Sequence, residues 1–294
     1  MLKLQGSIVA LATPFSAHGN LAEEAYRALV RWHLKSGTSG LVPCGSTGEA
    51  ATLSHEESCR LISICVEEAD RRLPVIAGVG TNDTAKAVKL AVKAQDLGAD
   101  AVLLLAPYYN KPTQEGIYRH FKAVAEEVAL PIVIYNIPGR TGVNILPATV
   151  ARMAADFKNI AAIKEASGSL DQVSEILSLI KRPFSVLSGD DSLTLPMMAV
   201  GAAGVISVIA NIAPRRTAEL CSAALKGDWK RARALHLKMF PLVKALFIET
   251  NPIPVKAALE MLGKCRCEPR LPLTPITGPS REVLRKRMKD FGLL

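Results

Sequence analysis

Eight short apolar runs alternate along the chain with longer segments whose apolar residues recur at helical spacing. The runs cover 8–12, 41–44, 75–79, 101–105, 132–135, 160–164, 184–188 and 204–207. They are rich in Ile, Val, Leu and Ala with little polar alternation, the pattern of strands buried on both faces. The intervening segments carry helix boundary signals. Ser54 with Glu57 three residues on makes a capping box, and Gly37 and Gly98 follow the last periodic turns. Successive strands start roughly 20 to 34 residues apart, the length of one strand plus its crossover helix. Strand then helix, repeated eight times, predicts an α/β chain folded as a (β/α)8 TIM barrel over residues 1–226. From 227 to 294 the pattern is helical, with Pro241 expected to kink it and Asn-Pro-Ile-Pro (251–254) to interrupt it. This region reads as a C-terminal helical appendage.

Composition changes this picture little. At 294 residues, 49% hydrophobic and 21% charged, the chain can bury a large core. The first apolar stretch is too short for a signal peptide and no run approaches a membrane span, so a soluble, cytoplasmic protein is expected, with no membrane partner. Six cysteines (Cys44, Cys59, Cys65, Cys221, Cys265 and Cys267) are scattered, as reduced thiols rather than a disulfide framework would be. Cys265 and Cys267 lack a second ligand pair at zinc spacing and read as a surface loop. The net charge of +9 is spread over many helix faces. Its densest cluster, Arg281 to Lys289, reads as the solvated side of a last amphipathic helix. Without interleaved aromatics it does not predict nucleic-acid binding, although it would favour small anionic substrates.

The candidate chemistry starts at residue 164, where an apolar run ends on a lysine. Such a side chain ordinarily reaches solvent or pairs with a carboxylate, here Glu165. At the C-terminal end of the sixth barrel strand it instead faces the rim where barrels build active sites, and burial there favours a free amine able to attack a carbonyl. Tyr135, ending the adjacent strand, reads as a proton relay or as a core tyrosine. Gly-Ser-Thr-Gly (45–48) offers hydroxyls and backbone N–H groups to a carboxylate, or is simply a tight turn. Tyr108 and Tyr109 stand after the fourth strand as packing or as part of the rim. The five histidines form no cluster at ligand spacing, so no metal is expected, and imine chemistry on a lysine requires no cofactor.

Together, CGSTGEAATLSHEE, APYYNKPTQEG, YNIPGRTG, IKEASG and SGDD resemble the dihydrodipicolinate synthase family, within the pyruvate-dependent aldolases that include N-acetylneuraminate lyase. The likeness spans nearly the whole chain. It implies that Lys164 forms an imine with pyruvate and that Tyr135, Thr47 and Tyr109 make a hydroxyl relay, Tyr109 reaching in from a neighbouring subunit. It also implies that Ser46 and Thr47 hold the pyruvate carboxylate, that Gly189 and Ile206 line the pocket, and that Arg140 binds the carboxylate of L-aspartate-4-semialdehyde. Ser46 stands where the synthases usually carry threonine and the lyases commonly carry serine; it keeps the hydroxyl. Arg140 favours the synthase branch, because a guanidinium grips a carboxylate bidentately. N-acetylneuraminate lyase or another pyruvate aldolase is the alternative.

The family resemblance further implies a homotetramer built as a dimer of dimers. Members inhibited by L-lysine bind it at the tight-dimer interface. Ala51, His55, Asn82 and Tyr108 match that pocket, but Ser58 replaces a histidine and Lys86 a glutamate. An ammonium in place of a carboxylate weakens attraction for a ligand that carries two ammonium groups, so weak or absent inhibition is expected.

Overall fold

The computed structural model describes residues 4–266 and 268–294. All eight predicted strands are present: β1 (Gly6–Ala10), β2 (Gly40–Val42), β3 (Ile76–Gly78), β4 (Ala101–Leu105), β5 (Ile132–Asn136), β6 (Ile160–Glu165), β7 (Ser185–Ser188) and β8 (Gly204–Ser207). Every pairing is parallel, in the order β2-β1-β8-β7-β6-β5-β4-β3. The ends meet through a parallel bridge between Leu41 and Val75, with Gly78 N donating to Pro43 O at 2.9 Å. The sheet is therefore a nearly closed barrel.

Helices lie between the strands: α1 (Glu23–Leu34), α2 (His55–Ala69), α3 (Thr84–Asp96), α4 (Gln114–Glu127), a single turn α5 (Pro138–Thr141), α6 (Pro147–Asp156), α7 (Leu170–Leu179), α8 (Thr194–Ala199) and α9 (Pro214–Leu225). The capping box opens α2, with Ser54 Oγ accepting from Glu57 N and Glu57 Oε2 accepting from Ser54 N. Gly37 and Gly98 follow α1 and α3 with φ of +78° and +86°. Three more helices follow α9: α10 (Trp229–Ala245), α11 (Ile253–Met261) and α12 (Gly278–Phe291). α10 runs on through Pro241, and Pro252 and Pro254 stand at the start of α11, where their missing N–H groups are harmless. In α12, Leu284 and Met288 are buried, Arg281 and Arg285 are half-buried beside them, and Lys286, Arg287 and Lys289 are exposed. Among the described residues, no helix is long and apolar enough to cross a membrane. Cys44, Cys65 and Cys221 are buried thiols, Cys59 and Cys265 are half-buried, and Cys267 lies outside the described residues.

Two apolar layers position the site. One fills the barrel, with Ile8, Ala10, Val42, Ile76, Leu103, Val133, Tyr135, Ala162, Leu187 and Ile206; the other lies between barrel and helices. β1 starts two residues before its apolar run because Gly6 pairs with Gly204. A Cβ on Gly204 would sit 2.1 Å from Gly6 O, so the two strands approach through residues that a hydrophobic pattern does not register. β2 stops at Val42, where Pro43 has no N–H and Cys44 turns to φ +55°. β6 extends one residue beyond Lys164, so the lysine is its penultimate residue. A register shift against β5 leaves Ala161 as an extra residue. That bulge changes the phase of the strand: Ile160 faces the helices, Ala162 faces the barrel, and Lys164 shares the inward face with Ala162.

Candidate active site

Tyr135 and Lys164 are paired neighbours across β5 and β6, and Lys164 Nζ stands 4.2 Å from the Tyr135 ring centroid. The lysine is 5% exposed and Tyr135 4%. Lys164 therefore does not reach solvent, and it does not pair with Glu165. The Glu165 carboxylate turns the other way, accepting from Asn136 Nδ2 at 3.0 Å, Ser167 N at 2.6 Å and Gln172 Nε2 at 3.0 Å. Among the described residues Lys164 has no ion pair. A buried amine with no ion pair among the described residues, against the face of a tyrosine, is placed to act as a nucleophile. Gly189, after β7, closes in from the other side. A Cβ there would fall 2.7 Å from Ala166 Cβ and 3.2 Å from Lys164 Cγ, so only glycine lets this backbone pass. Ile206 is fully buried in the barrel layer.

The turn after β2 is held from several directions. Cys44 and Glu49, both left-handed, bracket it. Gly48 N and Glu49 N donate to Gly45 O and Ser46 O, and Thr13 Oγ1 donates to Gly48 O at 2.8 Å. The N–H groups of Gly48 and Glu49 are thus spent inside the turn, whereas those of Ser46 and Thr47 have no partner among the described residues. Glu49 is buried and paired with the fully buried Lys256 of α11, and its second oxygen accepts from Arg270 N at 2.9 Å. Arg270 also forks onto Glu57 and stands over the Phe15 ring, as Lys256 does. The C-terminal region thereby locks the turn to the rim.

Ser46 is half-buried and Thr47 fully buried. Asn251, just before α11, donates from Nδ2 to Thr47 Oγ1 at 3.1 Å, and its carbonyl oxygen accepts from Arg140 Nη2 at 2.9 Å. No sequence signal marks Asn251, because an asparagine before a proline reads as turn chemistry. Arg140, in α5, is exposed apart from this contact. Tyr109 stands apart. It is 88% exposed at φ +72°, projecting away from the chain that carries it. The structure thus brings Lys164 together with Tyr135 and Gly189, and Thr47 together with Asn251 and Arg140, but it leaves Tyr109 outside its own chain's packing.

Other nucleophiles and bases are poorly placed. Burial pushes the Cys44 thiol up to about 12 and pulls His33 down to about 3 and His120 to about 4. Asp191 of the SGDD stretch is buried, which raises its carboxyl, and it accepts from Val208 N and Ile209 N, fastening the loops after β7 and β8. An open groove of about 860 Å³ lies at the opposite end of the barrel, between Lys35–Ser39 and α9, and shares no residue with this rim.

The model of the dihydrodipicolinate synthetase family matches residues 3–291. A 4-hydroxy-tetrahydrodipicolinate synthase of Syntrophus aciditrophicus is 55% identical over 290 residues, 99% of each chain. The crystal structure of dihydrodipicolinate synthase from Aquifex aeolicus superposes with a TM-score of 0.97 at 51% identity, covering 99% of each chain. The chloride-inhibited dihydrodipicolinate synthase of Acinetobacter baumannii, complexed with pyruvate, does so at 0.97 and 46%, covering 99% of this chain and all of the other.

Proposed function

Since the chain belongs to the dihydrodipicolinate synthetase family, we propose that it condenses pyruvate with L-aspartate-4-semialdehyde through an imine on Lys164. The product is 4-hydroxy-tetrahydrodipicolinate, on the route to diaminopimelate and lysine, and the enzyme is a lyase of the class I aldolase type. The observation that carries the reading is the inward-facing Lys164, 5% exposed, with no ion pair among the described residues, its Nζ 4.2 Å from the centroid of the Tyr135 ring.

The Lys164 amine adds to the pyruvate ketone to give a carbinolamine, whose hydroxyl leaves as water once protonated. Tyr135 is the nearest phenol for that proton, with Thr47 and a partner's tyrosine completing the relay. The N–H groups of Ser46 and Thr47, with their hydroxyls, are suited to the pyruvate carboxylate, while Gly189 and Ile206 shape the pocket. The protonated imine acidifies the adjacent methyl, and loss of a methyl proton leaves an enamine. Its carbon attacks the aldehyde of the semialdehyde, whose carboxylate Arg140 receives. The semialdehyde amine then attacks the imine carbon and expels Lys164, closing the ring. The protein's own amine is the electron sink, so no cofactor takes part in these steps.

Arg140 favours this reading over N-acetylneuraminate lyase. One preparation assayed for both reactions tests it. Condensation with semialdehyde and no neuraminate cleavage is the expected result, and the reverse overturns the assignment.

The barrel of residues 1–226 supplies the chemistry and 227–294 the helical region that anchors it. A cytoplasmic homotetramer, a dimer of dimers, goes with this reading, supported by Tyr109, which its own chain leaves 88% exposed in a left-handed conformation. Light scattering is expected to find a tetramer. A fully active monomer would contradict a site shared between subunits.

Inhibition by L-lysine is expected to be weak. Lys86 is 76% exposed and reaches Asp83 at 3.8 Å, and Ser58 is buried in α2. The glutamate that would attract a diammonium ligand is thus replaced by a solvated cation. Initial rates should change by less than about twofold at lysine concentrations that silence sensitive members. Strong inhibition would show that Lys86 does not control the interface.

A further inference from the structure

Asn251 lies 204 residues from Thr47 in sequence, yet the residue is 5% exposed and meets two members of the site, one through its side chain and one through its backbone. Nδ2 donates to Thr47 Oγ1 at 3.1 Å, whereas Arg140 is held by the backbone carbonyl at 2.9 Å. Five residues on, Lys256 grips Glu49 at the end of the same turn, so the start of α11 is pinned to the turn at two points. The side-chain Oδ1 of Asn251 is buried with no partner. An asparagine that served only to fasten two segments would satisfy both ends of its amide. This one satisfies the end that faces Thr47.

A threonine hydroxyl has one proton and two acceptor positions. With an N–H of Asn251 occupying one acceptor position, the proton of Thr47 rotates away from Asn251 and is available to the site, where the N–H groups of Ser46 and Thr47 are also uncommitted. We infer that Asn251 is a positioning residue for the pyruvate half of the reaction, orienting the Thr47 hydroxyl as a donor toward the keto acid. This rests on the imine reading above. The side chain serves the first substrate and the backbone serves the second through Arg140, which separates their kinetic signatures.

The test is borohydride trapping of the pyruvate imine at Lys164 in the wild type, in Asn251→Leu, in Thr47→Val and in the double variant, with Michaelis constants for both substrates. Asn251→Leu keeps the shape and removes the donor. It should slow trapping at low pyruvate by about tenfold or more and raise the pyruvate KM, while the semialdehyde KM stays within about threefold. In the Thr47→Val background it should add less than about twofold, because the acceptor is already gone. Asn251→Asp can only accept, so it draws the Thr47 proton to itself and should be as damaging as leucine; it also carries the test if the leucine variant does not fold. Unchanged trapping in Asn251→Leu, an equal rise in both Michaelis constants, an undiminished effect without the Thr47 hydroxyl, or recovery in Asn251→Asp would each overturn the inference. If the wild type itself is not labelled, the imine reading fails and this inference with it; labelling of wild type and Asn251→Leu at equal rates removes the inference alone.

Discussion

Lys164→Ala is expected to lower condensation by roughly four orders of magnitude or more, the scale on which loss of a catalytic nucleophile acts. Lys164→Arg should be equally inactive, because a guanidinium stays protonated and has no lone pair to give to a ketone. Neither loss should come from unfolding. The amine is buried with no ion pair among the described residues, so its removal strands no partner charge there, and the melting temperature of Lys164→Ala should equal or exceed that of the wild type. Initial rates with both substrates, alongside thermal melts, check this. An alanine variant that retains activity would remove Lys164 from the mechanism; one that melts far below the wild type would mean that the lysine holds the barrel together.

Arg140→Ala should divide the reaction in two. The guanidinium is exposed on α5, tethered to the carbonyl of Asn251, and takes no part in the packing around Lys164. Its loss should reduce kcat/KM for the semialdehyde by about 100-fold or more, the cost of leaving a bound carboxylate without its partner. Imine formation with pyruvate should stay within about threefold. Arg140→Lys should recover only part of the loss, since an ammonium cannot hold both carboxylate oxygens in a planar fork. Equal damage to both half-reactions would make Arg140 a structural residue of the rim.

The barrel is legible in the sequence because each strand is an apolar run between helical patterns, and β4 and β8 begin and end where those runs do. The run misplaces β1 because its first pairing is between Gly6 and Gly204, which carry no side chain to be counted. Lys164 is conspicuous as a cation ending an apolar run, but its direction depends on the bulge at Ala161, which is set by pairing with β5. Were the strand regular through Ala161, with no bulge, the alternation from Ile160 would point the lysine toward the helices. The turn of residues 44–49 is recognisable by composition. Which of its N–H groups remain uncommitted is decided by bonds within the turn, and its rigidity by Lys256, 207 residues away from Glu49. Asn251 carries no sequence signal for the same reason: its meaning lies in a contact across the fold. Tyr109 shows the converse: it is 88% exposed with a left-handed backbone, and the role proposed for it lies in a contact with a second subunit that no pattern within one chain displays.

The most direct test of the central claim is to add pyruvate and borohydride to the purified protein and map the modified residue by peptide mass spectrometry. Reduction converts the imine to a stable secondary amine, and the adduct should sit on Lys164 alone, depend on pyruvate, and vanish in Lys164→Ala. Labelling at another lysine, or persistence of the adduct in the alanine variant, would contradict the account.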